Sequence, residues 1–323
     1  MKSNDGDACE GLPPGPGPAA RASDPGSPSW QARFPHRSKV WQLRTKALTP
    51  GKRPLVAGVL NCTPDSFSDG GRFFEPQAAI EQAMKMAADG ADILDIGGES
   101  TRPSSEVVTV DKELMRVIPV IQRLRPHVLV PISIDTSKAR VAREAIAAGA
   151  EIINDVTGLT GDPAMLEVAC SSQAGVCVMH MQGTPRTMQE NPTYDHVVME
   201  ILEWLRARRD ALVSAGIARE RIALDPGIGF GKTHQHNLTL LANCHRFHEL
   251  GCPLLVGPSR KSFIAKVLED KTADRTAGTV GACLSLAGQG VQIVRVHDVA
   301  AVRQALLLYE ATGGIDGEAK MID

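Results

Sequence analysis

Eight short apolar runs punctuate residues 55–296, each ending in a polar motif and most leading into a stretch of helical periodicity. Few folds accommodate that alternation. The runs predict strands at Leu55–Leu60, Asp92–Ile96, Leu129–Ile134, Glu151–Ile153, Gly175–Met179, Arg221–Leu224, Leu254–Gly257 and Gln292–Val296. Between them, PQAAIEQAMKMAADG, DKELMRVIPVIQRL, KARVAREAIAAGA and VVMEILEWLRARRDALVSAG read as helices, several closing at the glycine that helix C-termini favour. Strands that are apolar throughout need cover on their outer face, so the sheet is parallel with helices outside it. Eight such units match a closed (β/α)8 barrel of about 250 residues. A doubly wound open sheet shows the same alternation, because strand order is not written in a single sequence.

The flanks are of a different kind. Residues 1–38 contain LPPGPGPAA and SDPGSPS, a composition that cannot bury enough apolar surface to offset ordering entropy, and they predict a disordered tail in which only Trp30 and Phe34 offer local docking. The folded domain is therefore expected over 39–323. Its first segments, KVWQL, TPGKRP and LVAGVL, read as strand, turn and strand, an N-terminal hairpin leading into the core. With 43% apolar residues, 22% charged and a formal charge of −2, the chain has no generic nucleic-acid surface. No apolar run approaches the ~18 residues that span a bilayer and no secretory start is present, so a cytosolic protein without membrane contact is expected. Seven cysteines, scattered and without a CxxC pair, predict reduced thiols. Cys244, His248 and Cys252 fall at i, i+4 and i+8, a spacing that fits either a metal or a buried helical stripe.

The functional signal lies just beyond the strands: Asn61, then GGESTR after Ile96, then Asp135, Asn154, His180, Asp225, SRKS after Gly257, and Arg295 with His297. In a barrel these ends converge on one mouth. Any one of them could merely cap the next helix, as Asn154 and Asp155 or Asp225 before Pro226 would do. Eight polar ends out of eight are harder to explain so. Asp135, Asn154 and Asp225 suit the N–H groups of a flat, amino-bearing heterocycle, whereas Arg102, Lys261, Arg295 and His297 suit a diphosphate. The segment DPGIGFGKT resembles a phosphate-binding loop, but the first glycine of that pattern falls on Pro226, which can neither take positive φ nor donate an N–H.

Through LNCTPDSFSDGG, DIGGESTRP, ISIDTSK, EIINDV, VMHMQGTPRTMQ, LDPGIGFGK, SRKS and RVHD, the sequence resembles the dihydropteroate synthase family across residues 55–312. Cys62 stands where valine is expected and Pro258 where methionine is common, and neither removes a functional group. The resemblance implies a TIM barrel, working as a homodimer with Mg2+, that joins a dihydropterin methyl diphosphate to 4-aminobenzoate. It implies that Asn61 helps hold the metal and that Asp135, Asn154 and Asp225 bind the pterin beside Met179. Lys261 would bridge the two substrates. Arg295 and His297, with Asn61 and Thr101, would hold the diphosphate, and Val296 between them would line the substrate site. Phe67, Arg102, Pro103, Phe230 and Ser262 would enclose 4-aminobenzoate. The implied chemistry is dissociative: diphosphate leaves first, aided by cations, and the neutral arylamine attacks the methylene cation without a His/Asp base. Rival expectations are a pterin-binding methyltransferase, which should lack the anion-binding set, and a non-catalytic pterin-binding barrel.

Overall fold

A computed structural model describes residues 29–63, 76–100 and 107–317. The expected strands are present: β3 (Leu55–Asn61), β4 (Ile93–Gly97), β5 (Ile132–Asp135), β6 (Ile152–Asp155), β7 (Gly175–Met179), β8 (Ile222–Asp225), β9 (Leu255–Val256) and β10 (Ile293–Val296), preceded by β1 (Trp41–Gln42) and β2 (Ala47–Leu48). The eight strands β3–β10 are parallel, in the order β8-β7-β6-β5-β4-β3-β10-β9. The two ends of that order meet through a parallel bridge between Leu224 and Leu254, with Leu224 N donating to Pro253 O at 2.8 Å. The sheet is thus a closed barrel, and the open-sheet alternative is excluded. A buried cluster in which Val56, Leu94, Ile153 and Val294 meet helix residues such as Val120, Ile121 and Leu205 packs the helical ring onto the strands. None of the helices among the described residues is long and apolar enough to cross a membrane.

The hairpin differs from expectation in where it turns. β1 pairs antiparallel with β2, so the chain reverses at Arg44 and Thr45, and TPGKRP merely leads on to β3. A long-range contact decides the turn: the Glu151 carboxylate accepts from Thr45 N at 2.8 Å and from Thr45 Oγ1 at 2.6 Å. The hairpin closes the lower end of the barrel. Trp41 and Leu43 are fully buried against Ala57, Ile93, Ile152, Cys177, Ala223, Leu255 and Ile293, one inward residue from most strands, and Trp41 Nε1 donates to Arg221 O at 2.9 Å.

Two further expectations need correction. Residues 29–38, assigned by composition to the tail, dock on the barrel: Trp30–Arg33 is a short helix, Arg37 donates to Gly290 O and Gly51 O at 2.6 and 2.9 Å, and the Phe34 ring lies 5.3 Å from that of His248. The strand expected from Leu129 begins at Ile132, because Leu129 is 92% exposed and Pro131 has no N–H for a ladder. Cys244, His248 and Cys252 are all buried, as the core reading of their spacing expects, and Cys244 opens a 3-10 segment, Cys244–Leu250. Its thiol meets Leu240 O, His248 Nε2 meets Gln289 O, and the nearest acceptor to Cys252 Sγ is Arg219 O.

Candidate active site

Strand alternation builds the site directly on the hairpin-plugged layer. Two residues beyond Ile93, Ile152, Cys177, Ala223 and Ile293, and therefore on the same inward face, stand Asp95, Asn154, Met179, Asp225 and Arg295. Strand register sets them side by side, Asp135 opposite Asn154, Met179 opposite Asp225, and Asn61 opposite Gly97. Groups up to 200 residues apart in sequence thereby share one chamber.

The centre of that chamber is an ion network. Arg295 donates through Nε to Asp95 Oδ2 and through Nη2 to Asp135 Oδ2, each at 2.5 Å, and Asn154 Nδ2 donates to Asp95 Oδ2 at 3.1 Å. Burial alone would lower the Arg295 pKa, but the two carboxylates raise it beyond its ordinary value. One guanidinium serves two acids, so burial, with Asp95 nearby, still pushes Asp135 up to about 7 against the pull of Arg295. Asp95 Oδ1 is buried and has no partner among the described residues, an acceptor left over for a ligand. Arg295, expected to face diphosphate, is thus committed in the free protein to the carboxylate side.

Asp225 ends β8 and is 6% exposed. One of its oxygens accepts from Gly227 N at 2.7 Å. Burial pushes its pKa up to about 6, opposed by that bond and by Lys261, Lys232 and Arg295. Gly227 has φ +71°, and a Cβ there would stand 1.9 Å from His180 O, so the turn after Asp225 requires glycine. Met179, Phe230, Val156 and Met188 form an apolar wall, and Lys261 Nζ lies 4.1 Å from the Phe230 ring centroid.

The anion-binding loops are tied together. Ser259 Oγ accepts from His297 N at 3.2 Å and can donate to His297 Nδ1 at 3.0 Å, an arrangement that leaves the proton on Nε2. Burial, with Arg295 nearby, lowers the His297 pKa to about 4, so this imidazole is a neutral donor at pH 7. Arg260 grips Asp298 through both ends of its guanidinium, locking SRKS to RVHD. Ser262 begins the next helix and lines a cavity of about 230 Å³ with Gln189, Gly229, Lys232, Thr233 and Lys266. Val296 is the last residue of β10 and fully buried. Phe67, Thr101, Arg102 and Pro103 lie outside the described residues.

One buried acceptor escapes a reading of strand ends. Asp95 sits inside β4, and its signal was a lone carboxylate in an otherwise apolar strand, ILDIG. Glu99 accepts from Val108 N at 2.8 Å and from Lys138 Nζ at 2.5 Å, and Lys138 also reaches the fully buried Glu113 at 2.5 Å. This cluster fastens both ends of the segment between β4 and the following helix.

The family described as "Pterin binding enzyme" matches residues 57–297. A dihydropteroate synthase of Synechocystis sp. is 48% identical over 262 residues, covering 81% of this chain and 91% of the relative. The structure of Xanthomonas albilineans dihydropteroate synthase with 4-aminobenzoic acid superposes with a TM-score of 0.79 at 44% identity, over 85% of this chain and 98% of that one. The same enzyme in complex with 7,8-dihydropteroate gives 0.76 at 42% identity, over 84% and 98%. A closed barrel with a carboxylate-amide chamber at its mouth, matched over most of its length, belongs to the pterin-binding enzyme family, among the dihydropteroate synthases.

Proposed function

We infer that this chain is a cytosolic transferase of folate biosynthesis, condensing (7,8-dihydropterin-6-yl)methyl diphosphate with 4-aminobenzoate to give 7,8-dihydropteroate and pyrophosphate. The observation that carries the reading is the chamber floor, where Asp95, Asp135, Asn154 and Asp225 present acceptors for a ring rich in N–H groups. Ionised Asp225 accepts from the ring amine and an adjacent N–H, Asn154 and Asp135 fix the opposite edge, and Met179 packs on the ring face. Lys261 reaches over the same ring toward the second substrate. Once the ring is bound, Arg295 adds its charge to the leaving oxygen, and His297 donates from Nε2 to the diphosphate with Thr101 and Asn61. Arg102, Phe67, Pro103, Phe230 and Ser262 enclose 4-aminobenzoate, whose carboxylate suits the polar cavity beside Ser262 and Lys266.

The methylene C–O bond breaks with its electron pair on pyrophosphate. The arylamine lone pair forms the new C–N bond, and the amine proton passes to pyrophosphate or water. His297, neutral and engaged with Ser259, serves as a donor in this scheme and not as the base. The donor set fits Mg2+: Asn61 at the end of β3 offers one hard amide oxygen, and that ion takes most of its ligands from phosphate oxygens and water. Bound there, Mg2+ would neutralise charge on the diphosphate. The working unit is a homodimer. Incubating the purified chain with both substrates should release pyrophosphate and 7,8-dihydropteroate in equal amounts, and a chain that binds the pterin without releasing either would instead be a non-catalytic barrel.

A further inference from the structure

Lys232 is among the largest fully buried side chains, 2% exposed; it borders the cavity beside Ser262, but the scheme above gives its ammonium no role. Burying an ammonium costs several kcal/mol, on the order of the penalty for any unpaired buried ion, so its retention calls for a partner. Three acceptors surround the nitrogen: Phe230 O at 2.8 Å, His180 Nδ1 at 3.1 Å and His180 O at 3.3 Å. These match the three protons of an ammonium. His180 follows β7 and its N–H donates to Asp225 O at 2.9 Å. A Cβ on Gly227, whose N–H binds Asp225 Oδ1, would lie 3.3 Å from Lys232 Nζ. The lysine therefore sits directly behind the turn that presents Asp225.

Tying two loops together needs only a neutral donor such as an amide. What an ammonium adds is a field, and the acid that feels it is Asp225. We propose that Lys232 is a positioning residue for the pterin subsite, whose buried positive charge behind the Asp225–Phe230 turn holds Asp225 in the ionised form that the ring requires. The inference rests on the assignment of Asp225 as the ring acceptor. Lys232 is influenced by Asp225 and Lys261 and abuts His180. Asp225 is influenced by Lys232, Lys261 and Arg295, and it acts in turn on the thiols of Cys177 and Cys244. Burial draws the Lys232 pKa down to about 7 and Asp225 draws it up, while Lys232 draws Asp225 down. Each group thus favours the charge of the other, and a pterin bound to ionised Asp225 favours both.

The test is pterin binding by calorimetry from pH 5.5 to 8.5 in the wild type, Lys232→Met, Asp225→Asn and the double variant. Binding needs the carboxylate, so in the wild type affinity falls as pH drops through about 6. Without the ammonium the Asp225 pKa rises, so in Lys232→Met this acid limb should move upward by about one to two pH units. Affinity at pH 8.5 should stay within about threefold of wild type, a difference of less than half a pKa unit in energy. On the Asp225→Asn background, Lys232→Met should add no further loss. A uniform loss at every pH, or additive losses in the double variant, would make Lys232 a structural tie and overturn the inference. Wild-type affinity in Asp225→Asn would instead remove the ring assignment itself, whatever Lys232 does. Should Lys232→Met fail to fold, Lys232→Gln takes its place, and ¹⁵N NMR of the Lys232 ammonium in the wild type reads the coupling directly. Its pKa should rise when pterin binds, and an unchanged value would refute the proposal.

Discussion

Two acids facing one guanidinium make Arg295 the residue whose loss should be felt most widely. Its two hydrogen bonds hold Asp95 and Asp135 in a chamber with little solvent. Removing one partner of such a network typically costs about 3–5 kcal/mol, because the remaining charges are stranded. Arg295→Ala should therefore weaken free pterin as well as pterin diphosphate, the diphosphate more because it also loses the charge on its leaving oxygen, and should lower stability at pH 7. The stability deficit should shrink on acidification. Asp135, already pushed up to about 7 by burial, would rise further without Arg295, so the folded variant binds more protons than the unfolded chain below that pH and gains stability as pH falls. Chemical denaturation at pH 5 and pH 7.5 measures this, and a deficit that grows on acidification would contradict it. Much of this scale was legible in the sequence: Asp135, Asn154, Asp225 and Arg295 stand at strand ends as expected, and the structure gathers them. Asp95 was not, because a carboxylate within a strand gains meaning only when the inward face is known. The pairing of Arg295 with carboxylates was hidden too, since a sequence shows charges but not which of them neutralise each other.

Among the elements, the short segment before the hairpin departs furthest from its composition. Residues 29–38 read as tail because prolines and glycines surround them, yet Arg37 finds two carbonyls and Arg33 donates to Ile315 O at 2.6 Å. Deleting residues 1–38 should cost about 2 kcal/mol, the worth of two or three such bonds. That corresponds to a fall of roughly 3–4 °C in Tm for a domain of this size, whereas deleting 1–28 removes none of these contacts. Gly51, Gly290 and Ile315 lie at the end of the barrel opposite the site, so kcat should be the same for both truncations; a drop in kcat for the longer one alone would show that this docking reaches the mouth. The strands were legible because continuous apolar runs bounded by turn residues leave little choice. The hairpin's turn was not. TPG has better turn chemistry than Arg44 and Thr45, and the decision came from Glu151, more than 100 residues away.

At the scale of the whole molecule, the barrel leaves apolar surface uncovered on the helix Val299–Ala311, where Leu307 and Leu308 are 46% and 66% exposed. Neighbouring leucines of that kind are costly on an isolated subunit. The proposed homodimer should bury this helix. Light scattering should give twice the mass of one chain, and Leu308→Glu should shift the population toward monomer with its secondary structure intact. A wild-type monomer at micromolar concentration would count against the dimer. The plug at the foot of the barrel has a further consequence for traffic. With Trp41 and Leu43 filling the lower opening, both substrates must enter, and both products leave, through one doorway. The acceptor cannot slip in from behind a bound pterin, and the joined product must back out along the route by which its two halves arrived.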